Sequence, residues 1–245
     1  MTRVAPAVPA ETDLLCEFCG YTLNGLPDGA NCPECGEPVV ASLGQKRQSP
    51  MWEAARGGRS LLAFLHDSAM VILRPTHFFK TTTTRGDERR AEWFGRAHWA
   101  IASLLFGLAG SLHATTLFWS PDPLTRAVTG GIGVITIAVA SYLSLFGITW
   151  AATRLTAWEA AYRGYRLPLG VVRRGMAYHA AHYFPVALIA VLITGAYASM
   201  IRRRVLYHDS DMTYLYVICG AVIVCAAYLF HTYWIGMRNM MYANR

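Results

Sequence analysis

The sequence predicts an all-α polytopic membrane protein with four transmembrane helices, one short amphipathic helix and a small N-terminal β module. Two observations predict this. The first is a partition of charge. The chain has 245 residues with 22 basic and 15 acidic side chains. None of these 37 falls in 97–121, 127–153, 175–201 or 212–237, so all of them sit in the other 140 residues. A bilayer core needs about 20 apolar residues per helix, and each stretch exceeds that. A water-soluble globule does not sort its charges this way, which excludes a soluble enzyme, a secreted disulfide mini-protein and a disordered chain. The second observation is a pair of CxxC motifs close to the N-terminus.

Residues 1–12 read as a flexible tail. The first 15 residues contain Arg3, Pro6, Pro9, Glu11 and Asp13 and no apolar core, so no cleavable signal peptide is expected there.

Residues 13–40 read as a metal-bound ribbon. Cys16-Glu-Phe-Cys19 and Cys32-Pro-Glu-Cys35 form CxxC–x12–CxxC. Two intervening residues let a tight turn present both sulfurs to one ion, and two facing turns build a tetrahedral four-thiolate site suited to zinc. Gly20 and Gly36 follow the second cysteine of each pair, where positive φ is expected. So small a module cannot bury enough core to fold unaided, so the metal is expected to supply folding free energy. Iron fits the same ligands. A pair of disulfides is the other alternative, and it needs an oxidising compartment. Four protein thiolates leave no open position for catalysis. The fold is thus completed as a small N-terminal β zinc ribbon.

The head carries Glu11, Asp13, Glu17, Asp28, Glu34 and Glu37 and no Lys or Arg between residues 4 and 45. Nucleic acid would require cations to meet phosphates, so no nucleic-acid partner is expected. An acidic head is expected to dock either on the basic membrane-flanking loops or on an unidentified, basic protein partner.

Residues 41–59 read as a polar linker. Residues 60–79 read as an amphipathic or interfacial helix, with Leu61, Leu65, Ala69 and Ile72 on one face and His66 and Asp67 off it. Both a helix lying on the membrane and a core helix fit this pattern. Pro75 ends it, because its ring disfavours helical geometry at Arg74. Residues 80–96 read as a charged loop, and 154–174 as the only long loop between spans. Residues 60–245 together form one bundle.

Trp99, Trp119, Trp150 and Trp234 lie near span ends, where amphipathic rings prefer to sit. Ser103, Gly107 and Ser111 share one face, as do Ala190, Thr194 and Ala198, and such faces admit a close helix neighbour or an oligomer partner. Loop Lys and Arg are concentrated before the first span, between the second and third, and in the tail. This places both termini in the cytoplasm. Arg126 and the run Arg202, Arg203, Arg204 lie on the opposite side and count against that orientation.

His179 and His182 share a helical face at the entry to the third span, and His113 and His231 lie within spans. His179, His182 and His231 form a speculative polar site, which would suit a small transporter, or a lipid-modifying enzyme using loop 154–174. No Asp or Glu lies in any span to pair with them. Cys219 and Cys225 lie about 120° apart around a helix, so they read as buried hydrophobes. No nucleotide-binding, hydrolase or HExxH motif is present, so an enzyme is not the leading expectation.

Two stretches resemble known families. Cys16-Glu-Phe-Cys19-Gly-Tyr-Thr-Leu-Asn-Gly-Leu-Pro with Cys32-Pro-Glu-Cys35-Gly is similar to the N-terminal zinc ribbon of many bacterial membrane proteins, and the likeness implies that all four cysteines are ligands. Ile72-Leu73-Arg74-Pro75-Thr76-His77-Phe78-Phe79, with Arg173, Arg174, Tyr178 and Pro185 further on, resembles the Yip-domain family over roughly 60–237. That resemblance implies a bundle of about five membrane helices. It carries over no activity.

Overall fold

The computed structural model describes residues 8–10, 12–43, 47–117, 122–202 and 211–244. The readings made for most of the 1–12 tail, for Glu11, Trp119, Arg203 and Arg204, and for the 121 and 201–212 boundaries concern chain outside or at the edge of those residues. The helices are α1 (Met51–Ala54), α2 (Ser60–Leu73), α3 (Pro75–Thr81), α4 (Glu88–Leu117), α5 (Pro123–Arg163), α6 (Leu169–His179), α7 (Tyr183–Arg202) and α8 (Asp211–Met241). Among the described residues four helical stretches are long and apolar enough to cross a membrane: Glu88–Thr116, Pro123–Arg163, Leu169–Ile201 and Met212–Met241. The chain is a multi-pass membrane protein on that ground.

The spans are longer than the charge-free stretches that revealed them. The expected loop 80–96 already turns helical at Glu88, and α5 and α6 leave only Tyr165–Pro168 and Gly164 of the expected loop 154–174 outside helix. Charge marks where the bilayer stops, not where a helix stops. Glu159 and Arg163 pair at 2.8 Å one turn apart on α5, the spacing that supports an exposed helical extension. Gly164 then ends α5 with φ +74°, a left-handed cap.

The chain divides into two compact units. One comprises Met1–Gly95, Thr149–His179 and Thr232–Arg245; the other comprises Arg96–Ile148 and Ala180–His231.

In the first unit the core is a run of ring contacts. Phe78 packs on Phe79 at 5.3 Å and on Tyr178 at 5.2 Å; Tyr178 meets Phe94 at 4.8 Å, Phe94 meets Phe64 at 5.1 Å, and Phe64 meets Trp52 at 5.6 Å. Residues 47–59 of the expected linker 41–59 are built against this core. Gln48 bridges to the 81–83 segment by accepting from Thr83 N at 3.0 Å and donating to Thr81 O at 2.8 Å. Trp52 Nε1 donates to Arg90 O at 2.7 Å, and the Arg90 guanidinium lies 4.8 Å from the Trp52 ring. On α2 the expected face is turned outward: Leu61 and Leu65 are exposed, while Ala63, Asp67 and Val71 are buried. Asp67 is inward because it caps α1, its Oδ2 accepting from Trp52 N at 2.8 Å. Pro75 ends α2 as expected and serves as the first residue of α3.

In the second unit the small residues of α4 meet α5. A Cβ on Gly107 would sit 2.4 Å from Val134 O, and Ser111 Oγ donates to Gly130 O at 2.7 Å. The close neighbour admitted by Ser103, Gly107 and Ser111 is therefore α5 of the same chain. Thr194 and Ala198 of α7 are likewise buried. Trp99 is not part of an interfacial belt; it is buried edge-on against Tyr142 and Phe146 at 6.2 and 5.9 Å. Trp150 and Trp234, in the first unit, are exposed as expected. Between α6 and α7, Ala180–His182 form a 3-10 turn. Pro185 explains it: without an N–H, and with its ring against the carbonyl four residues back, it cannot sit in an unbroken α-helix.

Candidate metal centre

The N-terminal module is two copies of one turn, sixteen residues apart. In the first, Cys16 N donates to Tyr21 O at 2.8 Å and Gly20 N to Cys16 O at 2.8 Å; in the second, Cys32 N donates to Glu37 O at 2.7 Å and Gly36 N to Cys32 O at 2.9 Å. Gly20 and Gly36 take φ +87° and +78°, which the sequence anticipates. The expected β ribbon is not seen as such. Among the described residues each turn is closed by a single antiparallel bridge, Leu15 with Thr22 and Asn31 with Pro38, and no strand forms. A segment this short has room for one rung before the chain turns towards the shared core of Cys16, Leu23, Cys32 and Val39.

Cys16, Cys19, Cys32 and Cys35 converge, with all four Sγ atoms within 4.8 Å of one another. Cys16 Sγ lies 3.6 Å from Cys35 Sγ, and Cys19 Sγ 3.6 Å from Cys32 Sγ. A disulfide would require about 2.0 Å. A tetrahedral ion with metal–sulfur bonds of about 2.3 Å would set its sulfurs about 3.8 Å apart. The donor set and spacing fit a four-thiolate metal ion, and all four cysteines are free. Protons compete for the same sulfurs. Burial and the neighbouring sulfurs push the Cys19 thiol well up. At Cys32 burial acts the same way but is outweighed by the backbone N–H groups of Cys35 and Glu34, which bring it down to about 7.

The module is seated on helix ends of its own unit. Asn244, following α8, holds Leu15 from both sides, Leu15 N donating to its Oδ1 at 2.9 Å and its Nδ2 donating to Leu15 O at 2.6 Å. Its Nδ2 also donates to Ser42 O at 3.1 Å, and its backbone N donates to Glu17 Oε1 at 3.0 Å. Arg166 donates to Ala10 O and Asp13 O at 3.1 and 2.8 Å, and Arg238 to Phe18 O at 3.0 Å. Arg47 pairs with Glu17 at 3.0 Å. The expected docking on basic segments is thus present, but it works mainly through carbonyl oxygens. Asp28, Glu34 and Glu37 remain exposed. Composition predicted the sign of the surface and could not predict that neutral oxygens would make the contacts.

The two turns are not equivalent in their surroundings. A Cβ on Gly20 would lie 2.4 Å from Tyr242 Cε1, whereas nothing lies within 4 Å of one on Gly36. Both substitutions to alanine strain a positive φ, at a cost of about 1–2 kcal/mol. Only Gly20→Ala also collides with Tyr242. Gly20→Ala is therefore expected to expose the 8–43 segment to limited proteolysis while Gly36→Ala leaves it protected. Equal protection in the two variants would overturn the docking contact.

The histidines do not gather into a comparable cluster. Among the described residues the four cysteines are the one group of three or more metal-ligating side chains. His179 Nε2 lies 3.1 Å from Thr232 Oγ1, His182 Nδ1 lies 2.7 Å from Tyr228 OH, and His231 is exposed. His113 Nδ1 lies 3.1 Å from Tyr214 OH, beside the stacked Tyr197 and Tyr214 rings. Each of these bonded histidines thus reaches a hydroxyl on α8. Cys219 is exposed and Cys225 half-buried, so they are not the buried hydrophobes expected from their spacing.

Sequence reasoning missed a buried ion pair in the first unit. Glu53, from the expected linker, lies 2.8 Å from Arg174 Nη2, with both side chains at most 3% exposed. Its Oε1 accepts from Arg174 Nε at 2.9 Å and from Tyr178 OH at 2.8 Å, and its Oε2 from Asp87 N at 3.0 Å. Arg174 also donates to Thr83 O. A side chain at Gly86 would push on the pair, since a Cβ would lie 2.4 Å from Glu53 Oε2 and 2.5 Å from Arg174 Nη2. No local pattern marks Glu53, because its partners are 121 and 125 residues away.

Comparison with protein-family models, with curated proteins and with solved structures returns no match.

Proposed function

We propose that this chain is a bacterial inner-membrane protein with both termini in the cytoplasm, on whose Yip-like bundle a structural zinc module serves as a protein-interaction site. It has no enzymatic chemistry of its own in this reading. The observation that carries the reading is the convergence of Cys16, Cys19, Cys32 and Cys35 in a module seated on its own helix ends. A four-thiolate zinc is coordinatively closed, so it holds shape rather than turning over substrate. What the module presents outward is acidic and partly apolar. Asp28, Glu34 and Glu37 are exposed, and so are Phe18, Tyr21 and Val40. Exposed aromatics amid one sign of charge suit a basic protein partner, since opposite charge speeds encounter and buried rings supply affinity.

The test is chemical cross-linking in membranes of the intact protein and of Asp28→Lys/Glu34→Lys/Glu37→Lys, three exposed side chains none of which is a ligand. The expected result is loss of one or more cross-linked proteins in the triple variant with its metal content unchanged. Identical cross-linked sets would defeat the interaction reading and leave the metal assignment intact.

A further inference from the structure

A cavity of about 290 Å³ in the first unit shares Arg166 with the seat of the cysteine module. It is lined by Thr84, Arg85, Gly86 and Glu88 on one side and by Arg166, Pro168, Gly170, Val171 and Arg174 on the other. Three features of its walls favour an anion. The first is charge. Arg85, Arg166 and Arg174 line it against one carboxylate, Glu88, which pairs with Arg173 outside the lining and whose Oε1 lies beside Gly170 at the start of α6. Arg174 is balanced by Glu53, and Arg166 also holds Ala10, Asp13, Ala243 and Asn244. The second is the start of α6. Val172 N is the first amide of that helix to reach back, to Pro168 O at 3.2 Å. The amides of Leu169, Gly170 and Val171 therefore have no acceptor within the helix, and a helix start of this kind attracts anions. The third is Arg174 itself. Its side chain is 3% exposed, and its Nη2, although 2.8 Å from Glu53 Oε1, is not aligned for a hydrogen bond and has no other such partner. That atom abuts the cavity wall at Gly86, beside Glu53 Oε2.

The position of the cavity identifies the anion. It lies where two candidate spans begin, Glu88–Thr116 and Leu169–Ile201. Five residues into the first of them Trp93 is exposed, a ring type that prefers the headgroup level.

We infer that this cavity binds a phosphate group, and that its source is the headgroup of an anionic phospholipid such as phosphatidylglycerol. The phosphate sits between Arg85, Arg174 and the first amides of α6, with Arg166 adding positive potential from behind. A zwitterionic headgroup brings its own cation toward the same arginines and binds more weakly.

The test is native mass spectrometry of the full-length, delipidated protein in detergent, titrated separately with phosphatidylglycerol, phosphatidylcholine and inorganic phosphate. Arg85→Gln is compared with Arg89→Gln, an equal loss of charge at an exposed residue outside the lining. The expected result is one phosphatidylglycerol adduct, weakened about tenfold by Arg85→Gln, the scale of one charge-assisted hydrogen bond, and unchanged by Arg89→Gln. Equal weakening by both variants would mean that binding follows the general basic field, and would overturn the site. Phosphatidylcholine bound as tightly as phosphatidylglycerol would overturn it too. Inorganic phosphate bound as tightly as phosphatidylglycerol, and sensitive to Arg85→Gln alone, would uphold the phosphate site and overturn the lipid source.

Discussion

Glu53→Gln is expected to destabilise the protein by about 3–5 kcal/mol, the usual cost of removing one partner of a buried ion pair. The reason is what remains. Arg174 keeps its charge at 3% exposure with no carboxylate beside it, and in a low-dielectric surrounding an uncompensated guanidinium costs more than the lost bond itself. Tyr178 OH and Asp87 N also lose a charged acceptor. Trp52, next in the chain and packed on Phe64 and Phe94, is positioned to report the change. Thermal unfolding followed by tryptophan fluorescence in detergent should show a large fall in Tm. The double variant Glu53→Met/Arg174→Met should recover most of the loss, because exchanging both charges for apolar chains is often neutral or stabilising. A Glu53→Gln protein as stable as the parent would show that the pair contributes little.

Cys16→Ser is expected to abolish metal binding and unfold the 13–43 segment while the four spans still insert. Zinc contributes on the order of 10–16 kcal/mol to small four-ligand peptides near neutral pH, and the module's core of Cys16, Leu23, Cys32 and Val39 is too small to replace that. Metal content by mass spectrometry and protease sensitivity of the head report the two effects. Stoichiometric zinc retained by the variant would sink the assignment. The sign of the pH dependence follows from the thiols. Cys19 and Cys35 hold their protons above the ordinary thiol range, so loading releases protons, and metal affinity should rise as pH rises and fall on acidification.

The residues legible in the sequence share a property: their signal is local or is imposed by the solvent. The bilayer excludes charge over each whole span, so 105 charge-free residues located the four helices. Two CxxC turns fix their own geometry, so four ligands and two left-handed glycines were readable. Where the signal was non-local the reading stopped. Glu53 looked like one polar residue of a linker, and Asp67 like the wrong face of an amphipathic helix, because their partners lie elsewhere in the chain. Phe78, Phe79, Arg174 and Tyr178 carried a family resemblance. In the structure they surround one core, with Phe78 against Tyr178 and Tyr178 against Glu53. The helix extensions beyond 153 and before 97 were missed because charged residues form good helices outside the bilayer.

The twin turns of the head carry one last consequence. The contacts described between the head and its seat fall on the first turn, on the residues leading into it or on Ser42: Ala10 and Asp13 are held by Arg166, and Leu15, Glu17, Phe18 and Gly20 by Asn244, Arg47, Arg238 and Tyr242. The second turn bears exposed Asp28, Glu34 and Glu37. An ion shared by Cys16 and Cys19 with Cys32 and Cys35 is then a mechanical joint. Through that joint the held turn would keep the outer one in place, and chelation would release the outer turn together with the rest of the 13–43 fold, leaving only the backbone to tether it.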